Sequence, residues 1–140
     1  MVDTKGLDTS VLVYAFNADE KEKHQKALEL LENVYKGEFK GFLSIQNLNE
    51  LFYVITRKNI KNIKEAEEII KNIIGSNKWI VKDIGKGTTL LAINLTKNNS
   101  KNFWDNLIAA NLILNDVREI YTEDTKGFKS ELIKVINPFR

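Results

Sequence analysis

Hydrophobic and polar positions repeat along the chain with two different periods. Apolar residues at i, i+3, i+4 and i+7, as in Leu48, Leu51, Phe52 and Ile55, predict amphipathic helices. Short apolar runs bounded by Gly or charged residues predict strands. The predicted helices are 11–16, 19–35, 46–58, 64–74, 88–96 and 104–114. The first predicted strand is weak and ends with residues 6–9, and the other predicted strands are 42–45, 79–84, 119–122 and 134–136.

This order of elements predicts the fold class. Strands separated by helices require parallel crossover connections and a central sheet that is covered on both faces. We therefore expect an α/β protein of three layers, α/β/α, with a mostly parallel sheet of four to five strands. A length of 140 residues suits one domain spanning 1–140. In such folds the functional site lies at the carboxyl ends of the strands.

Composition excludes several kinds of site but does not identify the function. Hydrophobic residues make up 43% and charged residues 29%, as in an ordinary globular protein, and a net charge of +2 neither requires nor excludes a nucleic-acid partner. The absence of Cys and the single His exclude disulfides, Cys-based zinc sites, iron–sulfur clusters and an RNase that pairs two His. Because we find no signal peptide and no apolar run of transmembrane length, we expect a cytoplasmic protein without membrane association.

Four acidic residues do not lie on the charged helix faces that hold most of the 19 acids. Asp8 and Asp124 follow predicted strands, Glu50 lies beside the apolar stripe of its helix, and Asp105 opens an apolar helix. Each has an ordinary structural interpretation when taken alone. Asp8 would be a helix N-cap, Glu50 a solvated flank, Asp105 a first-turn acid favoured by the helix dipole and Asp124 a turn residue.

Taken together, the four acids predict a metal site. All of them lie at carboxyl ends of strands or near the starts of the following helices, where a parallel fold would bring them together. Clustered carboxylates repel one another, and no Cys or second His is present to ligate a softer metal. A hard cation such as Mg²⁺ or Mn²⁺ fits such a cluster, and these ions support phosphodiester hydrolysis.

Four sequence segments, in this order, resemble the PIN-domain family and within it the VapC-type toxin ribonucleases. The resemblance spans nearly the whole chain. Phe128, close to the last of these segments, also matches, and the closing Val-Ile-Asn-Pro-Phe at 135–139 is similar to the end of such toxins. The segments are Leu7-Asp8-Thr9-Ser10-Val11-Leu12-Val13-Tyr14-Ala15, then Ser44 through Asn49-Glu50-Leu51, Phe103-Trp104-Asp105-Asn106-Leu107-Ile108-Ala109-Ala110 and Tyr121-Thr122-Glu123-Asp124.

The resemblance implies a PIN-like fold, an enzyme activity and a set of site residues. By it, the metal-binding and catalytic acids are Asp8, Glu50, Asp105 and Asp124, with Thr9 and Thr122 as neighbouring polar support. The implied activity is Mg²⁺- or Mn²⁺-dependent endoribonuclease hydrolysis of RNA. The implied partners are the RNA substrate, a small protein antitoxin and a second copy of the chain in a homodimer. The pattern leaves open whether Glu123 shares the site with Asp124.

Several other interpretations remain. The same fold could serve RNA processing without being a toxin, or could be a non-catalytic binding module with structural acids. A receiver domain of the response-regulator type would need a phosphoacceptor, for which Asp83 is the nearest candidate. Trp79 and Trp104 are predicted core residues rather than base-stacking surfaces. Basic residues that follow the acid-bearing segments are candidate RNA-backbone contacts, although most of them also suit a solvated face: Arg57, Lys58, Lys61, Lys64, Lys126 and Lys129.

Overall fold

The structure, a computed structural model, describes residues 2–99, 101–126 and 131–140. Phe128 and Lys129, both named above, lie outside these ranges. The described strands are β1 (Thr4–Leu7), β2 (Lys40–Ser44), β3 (Trp79–Lys82), β4 (Glu119–Tyr121) and β5 (Lys134–Ile136). The described helices are α1 (Thr9–Ala15), α2 (Glu22–Lys36), α3 (Ile45–Arg57), α4 (Ile63–Gly75), α5 (Lys86–Asn99) and α6 (Phe103–Leu114), with a 3-10 turn at Ala18–Glu20.

The five strands form one parallel sheet in the order β3-β2-β1-β4-β5. The first strand is central, because Gly6 lies opposite Phe42 on one side and Ile120 on the other. The prediction of a mostly parallel sheet of four to five strands is confirmed. The order differs from the 2-1-3-4-5 arrangement of receiver domains, which argues against that alternative.

Helices cover both faces of the sheet, as expected for three layers. On one face α1, α2, α3 and α4 pack on Leu7 and Leu43 in a core that also contains Trp79. On the other face α6 packs on Phe42 and Ile120 through Ile108, Ala109 and Leu112, with α5 outside it. Alternate strand residues therefore supply two separate apolar cores.

Close packing explains one glycine of the sheet. A side-chain carbon added at Gly41 would lie 2.3 Å from the Trp79 ring, so the indole packs directly on the backbone of β2. The indole nitrogen of Trp79 donates to the Tyr35 hydroxyl at 3.1 Å. The prediction that Trp79 is a core residue is thus confirmed, with 5% of its surface exposed.

Some predicted boundaries were wrong for local backbone reasons. The helix predicted over 19–35 begins at Glu22, because Lys21 has a φ of 49° and separates it from the preceding 3-10 turn. Thr9 belongs to α1 and not to a strand, since the Asp8 side chain caps that helix. The strand predicted over 79–84 ends at Lys82. In the described ranges, no helix has both the length and the apolarity needed to cross a bilayer.

Candidate active site

Asp8 lies at the carboxyl end of β1 and is held by two protein donors. Its Oδ1 accepts the Thr9 backbone N–H at 2.9 Å, and its Oδ2 accepts the buried Thr122 hydroxyl at 2.8 Å. The Asp8 backbone N–H donates to Tyr121 across β1 and β4 at 2.9 Å. Asp8 therefore joins the first helix to the end of the fourth strand, and its cap role is shown directly.

The pKa of Asp8 is raised to about 6. Burial of the carboxylate is the largest cause, and the negative charges of Glu50 and Asp105 raise it further. The hydrogen bonds from Thr122 and Thr9 act in the opposite direction, because they favour the ionised form. Asp8 is thus a carboxylate whose charge is opposed by its surroundings and by two neighbouring acids.

Glu50 reaches the same region from the second turn of α3. That helix begins with a capping box in which the Asn47 side-chain oxygen accepts the Ser44 backbone N–H at 3.0 Å. The Asn47 amide also donates to the Thr9 hydroxyl at 3.1 Å, which joins the starts of α1 and α3. Gln46, one turn before Glu50, donates from Nε2 to Glu50 Oε1 at 2.8 Å and so orients the carboxylate.

Asp105 lies in the first turn of α6 and is partly buried. Burial raises the pKa of Asp105, and the charges of Asp124 and Glu50 raise it further. The helix begins where Asn102 Oδ1 accepts the Trp104 backbone N–H at 2.8 Å. Because α6 precedes β4, its N-terminus lies at the same edge of the sheet as the carboxyl ends of the strands.

Asp124 stands at the solvent-facing side of this group. Its side chain is exposed, and its backbone N–H donates to the Thr122 hydroxyl at 3.1 Å. The Thr122 hydroxyl therefore contacts both Asp8 and the Asp124 backbone. The influence of Asp124 on the pKa of Asp105 places its charge within electrostatic range of the other acids.

Three of the four acids line one cavity of about 550 Å³. Its wall also contains one cation, Lys58, and the Gln46 side chain. Most of the remaining lining residues come from α1, α3, the 3-10 turn and the start of α6. The full lining is Asp8, Thr9, Ser10, Val13, Tyr14, Asn17, Glu20, Gln46, Glu50, Val54, Lys58, Ile60, Asn102, Trp104, Asp105 and Ile108.

Glu123, although adjacent to Asp124, has a different environment. Its carboxylate accepts from the Lys23 ammonium at 2.6 Å and from the Tyr14 hydroxyl at 2.9 Å. The hydrogen bond from Lys23 is the main cause of the lowered pKa of Glu123. Its charge is therefore balanced by protein groups, unlike the charges of Asp8 and Asp105.

The donor chemistry of the cavity fits a hard divalent cation. The charge of Glu50 raises the pKa of both Asp8 and Asp105, and the buried Gln46 side-chain oxygen has no hydrogen-bond partner among the described residues. Among the described residues, no three Asp, Glu or His side chains form a preassembled group that could hold an ion. Asp8 and Glu50 are instead turned toward protein donors.

Sequence reasoning missed several residues of this cavity. The prediction that Trp104 is a core residue is wrong: it is 61% exposed at the cavity wall, because the buried part of α6 starts two residues later, at Asn106. Gln46 was detectable from its i, i+4 spacing to Glu50. Of the basic candidates, Lys58 lines the cavity, whereas Arg57 and Lys61 line a separate surface depression beside Tyr53.

Comparisons with known proteins agree with the architecture. A family model described as the PIN domain matches residues 6–130. Among solved structures, the chain is similar to Mycobacterium tuberculosis VapC20, described as a sarcin-ricin loop cleaving toxin, with a TM-score of 0.72 and 17% identity over 94% of this chain and 98% of that one. A search of curated proteins gave no match.

Two solved complexes resemble this chain to about the same extent as VapC20 does. VapBC2 from Rickettsia felis, bound to a DNA fragment from its promoter, gives a TM-score of 0.69 at 20% identity, covering 96% of this chain and 98% of that one. A toxin–antitoxin complex from Klebsiella pneumoniae gives 0.70 at 16% identity, covering 96% and 97%. At these identities the structural likeness establishes the fold.

Proposed function

The chain belongs to the PIN-domain family, and we propose that it is a Mg²⁺- or Mn²⁺-dependent endoribonuclease that hydrolyses RNA phosphodiester bonds as the toxin of a type II toxin–antitoxin pair. One observation carries the proposal: Asp8, Glu50 and Asp105 line a single cavity at the carboxyl edge of the sheet. PIN proteins are nucleases that generally use divalent metals, which supports a hydrolase here.

The similar solved structures support the toxin assignment. One is described as a toxin that cleaves the sarcin-ricin loop, and others are complexes of a toxin with an antitoxin. We carry over from them an RNA substrate and a small antitoxin partner. We also infer a cytoplasmic location, where both would be met, and a homodimer. Co-purification with the product of an adjacent short reading frame tests the antitoxin; recovery of the chain alone from such co-expression would argue for an RNA-processing role.

The roles of the residues follow from their contacts. Asp8, Glu50, Asp105 and Asp124 would hold the cation, which supplies positive charge to the phosphate group as hydrolysis proceeds. Thr122 and the Thr9 backbone fix both oxygens of Asp8, and Gln46 fixes Glu50, so the carboxylates are oriented before a substrate arrives. Lys58 in the same wall offers a positive charge to the RNA backbone. Glu123 remains with Lys23 as a structural ion pair.

Replacement of single acids by their amides tests the proposal. In Mg²⁺ or Mn²⁺, Asp8→Asn and Asp105→Asn should each reduce RNA cleavage by about 100- to 1,000-fold, as expected for loss of one preorganised charged group. Asp83→Asn is the matched control, because Asp83 is exposed and does not line the cavity. Thermal melting should show all three variants folded.

The outcome separates the remaining alternatives. Undiminished cleavage by folded Asp8→Asn and Asp105→Asn would contradict the assignment of the site. Absence of cleavage by the wild type, together with absence of Mn²⁺ binding in titration calorimetry, would favour a non-catalytic binding module.

A further inference from the structure

The exposed indole of Trp104 is the feature of the cavity that the acids do not explain. Trp104 directly precedes Asp105 and lines the same cavity as Asp8 and Glu50. The other tryptophan, Trp79, is 5% exposed and hydrogen-bonded, whereas Trp104 is 61% exposed. Leaving an indole in water forgoes the stabilisation that burial provides. The position of Trp104 is therefore better explained by a ligand than by packing.

The protein holds Trp104 in place from two sides. Its backbone N–H donates to Asn102 Oδ1 at 2.8 Å, and its ring meets the Phe103 ring edge-on, with centroids 5.4 Å apart and an angle of 75° between the ring planes. The next turn of α6, from Asn106 onward, is buried in the core. The exposed ring thus stands on a rigid helix start and not on a loop.

The charges of the cavity limit what the ring can bind. Four carboxylates on the wall, including that of Glu20, repel a polyanion except where a cation or Lys58 intervenes, so the uncharged indole offers RNA a contact that avoids this repulsion. A nucleobase has a flat π-face of the kind that stacks on aromatic side chains. In an RNA duplex the base faces are already stacked on their neighbours, so only an unpaired base can present one.

We propose that Trp104 is the stacking surface for an unpaired nucleobase next to the phosphate that is cleaved. This inference rests on the proposed function, because it assumes that RNA enters the cavity. Stacking tolerates any base, so Trp104 selects unpaired structure and not sequence.

Binding measured in EDTA, where cleavage is blocked, tests the inference. The probes are a single-stranded oligoribonucleotide, a fully abasic ribose-phosphate strand of equal length and charge, and a blunt RNA duplex. The wild type should prefer the base-containing strand by about 5- to 150-fold, the equivalent of about 1–3 kcal/mol for one stacked base. Trp104→Ala should lose most of this preference, and Trp104→Phe should keep part of it.

Two control variants separate stacking from other effects. Tyr53→Ala removes an aromatic ring of matched exposure, 62%, that does not line the cavity, and it should leave the preference unchanged. Lys58→Ala should weaken binding of the base-containing and abasic strands alike, because it removes a phosphate contact. In cleavage assays with metal, Trp104→Ala should raise KM much more than it lowers kcat.

The results distinguish failure of this inference from failure of the proposed function. A wild type that cleaves RNA, with Trp104→Ala retaining the full preference for bases, overturns the stacking role alone. If Trp104→Ala instead weakens only inhibition by a co-purified antitoxin, the ring is a protein contact and the inference is wrong. A wild type that neither binds nor cleaves any RNA overturns both.

Discussion

The carboxylate of Asp8 combines two favourable hydrogen bonds with an unfavourable location for charge. Thr122 and the Thr9 backbone stabilise its ionised form, yet burial and the charges of Glu50 and Asp105 outweigh them and raise its pKa to about 6. A site that resists its own negative charge has the electrostatic character expected where a cation binds. The ionised carboxylate should therefore lower the free energy of unfolding of the metal-free protein.

Lowering the pH should stabilise the metal-free protein. A raised carboxyl pKa means that the folded state binds a proton more tightly than the unfolded chain, so the contribution is complete below about pH 4 and is lost as pH rises through about 6. The raised pKa of Asp105 acts in the same direction. For Asp8 the change is on the order of 3 kcal/mol. Urea unfolding in EDTA across this pH window measures it.

Asp8→Asn provides the internal reference for this experiment. Because the amide cannot titrate, the stability of Asp8→Asn relative to wild type should grow as pH rises from 4 to 7, while Asp83→Asn should follow the wild type. Glu123 does not interfere, since its lowered pKa places the loss of its Lys23 pair at lower pH. A constant difference between wild type and Asp8→Asn across the window would show that Asp8 titrates normally.

At the level of elements, the starts of α1 and α3 are built as one unit. Asn47 is 2% exposed, caps α3 through Ser44 and also donates to the Thr9 hydroxyl on α1. The helix that presents Glu50 is thereby fixed to the helix that Asp8 caps. This link therefore helps to fix the relative position of the two acids.

Asn47→Ala should destabilise the protein by about 2 kcal/mol, from loss of a helix cap and of one buried hydrogen bond. Glu65→Ala is the matched control, because Glu65 holds the same third position in the capping box that Asn62 begins on α4, but it is exposed and its capping-box bonds do not reach α1. It should cost about 1 kcal/mol. Equal losses in denaturant unfolding would show that the bond between Asn47 and Thr9 contributes nothing.

The elements themselves were largely predictable because their periodicity is strong. The stripe of Leu48, Leu51 and Ile55 identified α3 within one residue at each end. Backbone conformations that leave no mark on the hydrophobic pattern, such as the positive φ at Lys21, could not be predicted. Trp104 could not be placed from sequence, because an aromatic residue exposed at a cavity wall has the same apolar pattern as a core residue.

The positions of the candidate acids could be predicted at the element level, but their hydrogen-bond partners could not. A position after a strand or at a helix start is visible in sequence, and this placed Asp8, Asp105 and Asp124 at one edge of a parallel sheet. The contacts of Thr122 with Asp8 and of Lys23 with Glu123 join residues more than 90 positions apart. Such pairs depend on the register of β1 with β4, which no local pattern encodes.

On the scale of the whole molecule, α5 has apolar residues on two sides. Ala92 is buried against α6, together with the partly buried Leu91 and Leu95. Leu90 and Ile93, one turn apart, face outward, and Leu90 is 69% exposed. A helix that is apolar on opposite faces is normally covered on both. We therefore place the interface of the proposed homodimer on the outer face of α5.

Leu90→Lys should convert the dimer to a monomer, because a symmetric interface places two copies of each substitution in contact and would bury two ammonium groups near one another. Ile63→Lys is the matched control: Ile63 is equally exposed, at 69%, but lies at the start of α4 on the other side of the sheet. Sedimentation equilibrium should give a dimer for wild type and Ile63→Lys and a monomer for Leu90→Lys, with all three melting cooperatively. A dimer that survives Leu90→Lys but dissociates in Ile63→Lys would move the interface to α4, and a monomeric wild type would refute the dimer itself.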